Sequence, residues 1–88
     1  MGVGTGKEET MTLRLNGNLQ IENLGQYPAE WVEALRQSLA RGSEVTPDPK
    51  RKHLYELQSN GLRFYIDVLP SGRKIVLLAA WPTGPAQT

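Results

Sequence analysis

The sequence predicts an α+β domain, and three observations carry that prediction. Three strand-like runs, His53–Gln58, Leu62–Leu69 and Lys74–Trp81, follow one another with only Ser59-Asn60-Gly61 and Pro70-Ser71-Gly72 between them. Ahead of them, the stretch from Pro28 to Arg41 repeats its apolar residues at helical spacing. A shorter alternating pair surrounds Asn16-Gly17-Asn18. Short turns join neighbours antiparallel, so the expected architecture is an N-terminal β-hairpin, one amphipathic helix and a C-terminal three-stranded antiparallel meander, with the helix packed on one sheet face.

The opening hairpin is expected from Thr12-Leu-Arg-Leu15 and Leu19-Gln-Ile21, which alternate apolar and polar. A two-residue Asn-Gly loop would set the leucines on opposite faces. A three-residue loop pairs Leu15 with Leu19 and Leu13 with Ile21, and Asn18 tolerates the left-handed position it then takes.

The helix follows from its ends and its stripe. Pro28 suits the first helical position, Glu30 the positive N-terminal end, Arg41 the opposite end, and Gly42 stops the run. Trp31, Val32, Leu35 and Leu39 make one apolar face, while Glu30, Glu33, Arg36, Gln37 and Arg41 face water. The next ten residues, Ser43 to Lys52, read as a polar connection, because Thr46-Pro47-Asp48-Pro49 resists regular structure.

In the middle run of the meander Leu62, Phe64, Ile66 and Val68 share one face, and Arg63, Tyr65 and Asp67 share the other. The last run is apolar on both faces, which suits an interior strand covered on each side. Val76, Leu78 and Ala80 then form an outward set which, with Trp81, offers a surface for a protein partner or a second copy.

The chain has 88 residues, 39% hydrophobic and 22% charged, which fits one small folded domain, expected over residues 12–81 between a flexible leader, 1–11, and a flexible tail, 82–88. No cysteine is present and only one histidine, His53, so thiolate metal sites are excluded and no metal or cofactor is expected. No apolar run is long enough to span a bilayer and no secretion signal is evident, so a cytoplasmic location with no membrane contact is expected. Gly2-Val-Gly-Thr-Gly-Lys7 lacks the spacing of a phosphate loop and follows no strand.

Charge is uneven. From Lys50 onward there are six basic residues, Lys50, Arg51, Lys52, Arg63, Arg73 and Lys74, against two acidic ones, Glu56 and Asp67. With Tyr55 and Tyr65 nearby, Lys50, Arg51, Lys52, Arg63, Tyr65 and Arg73 have the composition of an RNA-binding face, with cations for phosphates and rings for stacking.

The stretches Leu54-Tyr-Glu-Leu57, Gly61-Leu-Arg-Phe-Tyr-Ile66 and Gly72-Arg-Lys-Ile-Val-Leu-Leu78 resemble the sheet of the RelE/ParE toxin superfamily. That resemblance implies a protein antitoxin as partner and RNA or the ribosome as target, with possible metal-independent endoribonuclease activity; Arg63 would contact phosphate with Tyr65 beside it. The chain departs from the family in placing one helix where two are usual, and in carrying Ala79-Ala-Trp-Pro-Thr-Gly-Pro85 where a basic or histidine-bearing segment is common. Between the two readings, a non-enzymatic protein-interaction module is preferred over a toxin-like ribonuclease.

Overall fold

In the computed structural model, which describes residues 10–16 and 18–83, the elements run β1 (Met11–Leu13), β2 (Gln20–Asn23), α1 (Ala29–Arg41), β3 (Ser43–Pro47), β4 (Leu54–Ser59), β5 (Leu62–Val68) and β6 (Lys74–Pro82). They build an α+β fold in which α1 packs on one face of a six-stranded mixed sheet of order β1-β3-β4-β5-β6-β2. The meander is present, embedded as β4, β5 and β6 within that larger sheet. Asn60 and Gly61 form its first turn with φ of 56° and 74° between the paired Ser59 and Leu62, the backbone a tight two-residue hairpin demands. Of the expected leader and tail, residues 1–9 and 84–88 lie outside the described residues, while Met11 and Pro82 belong to strands.

The expected N-terminal hairpin does not form. β1 pairs antiparallel with β3 at one sheet edge, and β2 pairs parallel with β6 at the other. Leu15 and Leu19, expected to face each other across a ladder, instead tie the connection between the edges to the helix. The Leu15 N–H donates to the Leu39 carbonyl at 2.9 Å, and Arg36 Nη1 donates to the Leu19 carbonyl at 2.5 Å. Burial decides this outcome: a hairpin would leave one of its faces in water, whereas straddling α1 buries Leu19 and packs Leu13, Leu15 and Ile21 against the core.

The same connection shapes the sheet. Seven residue steps separate Leu13 from Gln20, a reach of at most ~25 Å, while a flat sheet of six strands would hold its edges ~24 Å apart. Because the Leu19 N–H bonds the Asn16 carbonyl at 3.0 Å, the segment turns rather than stretches. The edges are therefore held closer together than in a flat sheet, on the side where α1 lies.

The Ser43–Lys52 connection is also more regular than its prolines suggest. Ser43 and Val45 are buried in alternation with exposed Glu44, so the chain leaving Gly42 (φ 97°) goes straight into β3, and Pro47 ends that strand. On the helix side Leu35, Leu39, Val45, Leu57, Phe64, Ile66, Ile75 and Leu77 form the core. β6 lies in the sheet interior between β5 and β2, as expected, but among the described residues a helix covers only one of its two apolar faces.

A candidate interaction surface on the open sheet face

Cross-strand partners share a face. The rows Thr46–Glu56–Tyr65–Ala79, Gln58–Arg63–Trp81 and Asp67–Val76–Glu22 therefore all lie opposite the helix side. No helix among the described residues covers this face. Between Tyr65–Ala79 and Ile66–Leu77 the β5–β6 register shifts by one, leaving Leu78 without a partner. This β-bulge changes which β6 residues face outward. Ala80, expected in the outward set, pairs with Phe64 and is 7% exposed within the core, and Ala79 takes its place outside. The outward apolar stripe is Val76, Leu78, Ala79 and Trp81, the last 42% exposed.

Beside the stripe lies a polar depression of about 370 Å³ lined by Thr10, Glu44, Thr46, Glu56, Gln58 and Arg63. Arg63 Nη1 meets Glu56 Oε2 at 2.8 Å, so the strand arginine is neutralised; its Nε is buried with no hydrogen-bond partner among the described residues. Glu44 accepts a hydrogen bond from the Thr10 hydroxyl at 2.9 Å.

At the other end of the same face stands the loop from Asp48 to His53. Asp48 organises it: one carboxylate oxygen accepts the backbone N–H groups of Lys50 (2.7 Å) and Arg51 (3.1 Å), and the other accepts the Tyr65 hydroxyl. The Tyr65 hydrogen bond, then the Lys50 N–H, hold the Asp48 carboxyl below its usual range, and the same hydrogen bond to Asp48 pushes the Tyr65 phenol up. His53 closes the loop at φ 71°, with its carbonyl accepting the Val68 N–H at 2.7 Å. The loop folds over Leu54, an outward residue by its pairing with Asp67 yet only 5% exposed.

The six candidate RNA-binding residues are thus divided. Lys50, Arg51 and Lys52 are exposed on the loop, and Arg73 sits in the β5–β6 turn at the same end of the sheet. Arg63 lies toward the opposite end beside Trp81 and bonds a carboxylate, and the Tyr65 hydroxyl is committed to Asp48. Sequence reasoning passed over Asp48 and Glu44. The signal for Asp48 was its place before Pro49 and the three cations, where an aspartate bonds the backbone two and three residues on; for Glu44 there was none, because it needed the strand register. The chain matches no known protein family, no curated protein and no solved structure. No helix among the described residues is long and apolar enough to cross a membrane.

Proposed function

We propose that this chain is a non-enzymatic protein-interaction module that receives a partner protein on the open face of its sheet, along β6. One observation carries the reading: the bulge at Leu78 turns Val76, Leu78, Ala79 and half-exposed Trp81 to a sheet face that no described helix covers. Apolar surface of this kind gains ~25 cal/mol per Å² when covered, and tryptophan is a frequent energetic anchor of interaction surfaces. Leu78→Asp and Trp81→Ala, used as baits beside the wild-type protein, are expected to lose at least ~10-fold of the specifically retained partner, a loss of ~1.4 kcal/mol. Far-UV circular dichroism should stay unchanged in both. A retained partner indifferent to both substitutions overturns the reading.

A second reading, an RelE/ParE-like protein acting on RNA or the ribosome and held by an antitoxin, draws support from Lys50, Arg51, Lys52 and Arg73. None of these has an ion pair among the described residues, as a phosphate-binding set requires. Neutralising Lys50, Arg51 and Lys52 to glutamine should then abolish RNA retardation at low salt. Normal growth on strong expression, together with no retardation by the wild-type protein, removes it.

A further inference from the structure

The open face is charged in opposite senses at its two ends, and that arrangement selects a partner. At one end the loop carries Lys50, Arg51 and Lys52 on an Asp48-centred scaffold. At the other, the depression presents the Glu44 carboxylate, whose described partner is only the Thr10 hydroxyl. Both lie over β3 and β4, while the apolar stripe lies over β6. We infer that the partner is a second copy of this chain, the two open faces meeting so that the basic loop of each enters the polar depression of the other. This inference rests on the interaction reading above.

Symmetry decides the orientation. An isologous pair has its two-fold axis in the plane of contact. An axis running along the strands through the middle of the sheet would set basic end against basic end, the loop of each copy facing the Arg73 turn of the other, and lay the β6 stripe over polar β3. An axis running across the strands keeps the strand order and reverses the strand direction. β6 then meets β6, and each loop meets a depression. Glu44 and Asp48 are four residues apart on one extended segment, ~13 Å. The axis therefore passes midway, along the row Thr46–Glu56–Tyr65–Ala79, with Leu78 close beside it. Glu56 then faces its own copy, and its ion pair with Arg63 cancels the charge there. Opposite charges across the rest of the contact fix register and discriminate against other orientations.

The experiment is sedimentation of the full chain at low and high salt, with a charge swap. The wild-type protein is expected to form a dimer that weakens as salt rises. Glu44→Lys alone and Arg51→Glu alone should each weaken it by at least ~10-fold, and the two together should recover most of the loss. Recovery by the double variant is a result that damage to folding does not produce. Leu78→Asp, which places two carboxylates beside the axis, should give a monomer. A wild-type monomer under all conditions overturns the inference; if Leu78→Asp still loses a different captured protein, the interaction reading stands without it. A dimer indifferent to both charge reversals overturns the arrangement. A monomer whose Lys50, Arg51 and Lys52 bind RNA at low salt gives the loop to the other reading.

Discussion

The two faces of this sheet are built from the same strands and hold opposite kinds of information. On β5, Phe64 and Ile66 are fully buried against α1 and its neighbours, while Arg63, Tyr65 and Asp67, one residue away in each case, are partly open. The inward set is held by packing, where each side chain fixes the next. The outward set is held by a few directed contacts, Arg63 with Glu56, Tyr65 with Asp48 and Lys74 with Glu22. Stability therefore resides on the inward face, and under the proposed interaction reading recognition resides on the outward one, so the two should respond to mutation independently.

The largest effect expected from that separation is on the inward face. Phe64→Ala removes a fully buried ring from the centre of the sheet, at a cost of ~3–5 kcal/mol in denaturant unfolding. That is a large share of the ~5–15 kcal/mol typical of a whole domain. Trp81→Ala, four tenths exposed on the other face, should cost clearly less, ~1–2 kcal/mol, while lowering association at least ~10-fold. If Trp81→Ala destabilises the chain as much as Phe64→Ala, the two faces are not separable.

A smaller effect sharpens the same boundary at the helix entry. The Asn23 side chain accepts the Tyr27 N–H and donates to the Tyr27 carbonyl, each at 2.9 Å, and this turn sets the Tyr27 ring on Trp31 with centroids 5.9 Å apart. Gly25 lies under that ring, where an added Cβ would sit 2.3 Å from Tyr27. Gly25→Ala must displace the stacked ring and is expected to lower stability by ~1–3 kcal/mol by the same unfolding measurement. Its association constant should not move, because Tyr27 and Trp31 pack on the helix side.

Legibility in the sequence follows the range of the interactions. The meander and its turns are local, written in Asn60-Gly61 and in the alternation from Leu62 to Val68, and they form as the residues predict. The helix is equally local, from Pro28 to Gly42. The edge strands are not: Leu13 and Ile21 have the same pattern whether paired with each other or with β3 and β6, and only the burial gained around α1 decides. A single bulge was invisible for the same reason. Val76, Leu78 and Ala80 alternate correctly on paper, and one unpaired residue at Leu78 moves Ala80 into the core and Ala79 out of it. The surplus of basic residues is plain in the sequence, yet their grouping depends on that tertiary arrangement, which places Arg63 on Glu56 and away from the loop.

The smallest effect concerns how the loop on the open face is held. Asp48 titrates below its ordinary value and Tyr65 above its own, both chiefly through their shared hydrogen bond. For the carboxylate the sign is that of a depressed pKa: its hold on the loop is complete above the ordinary carboxylate range and is lost as pH falls through the folded value. For the phenol the sign is reversed, since the neutral donor makes the bond. That contribution is complete below the ordinary tyrosine value and is lost as pH rises through the raised one. The loop is thus docked between two limits set by one contact. Tyr65→Phe should move the Asp48 titration upward toward the ordinary range and loosen the Lys50 and Arg51 amides to hydrogen exchange, leaving global unfolding nearly unchanged. Asp48→Asn keeps an acceptor for the hydroxyl but carries no charge, so the acid limit should vanish while the Tyr65 titration falls back toward its ordinary value. Carboxyl and tyrosine ring resonances followed by NMR read both limits directly. Wild-type Asp48 titrating in the ordinary carboxylate range would mean that the loop is not held by this bond, and that its cations are not presented in the fixed array a recognition face needs.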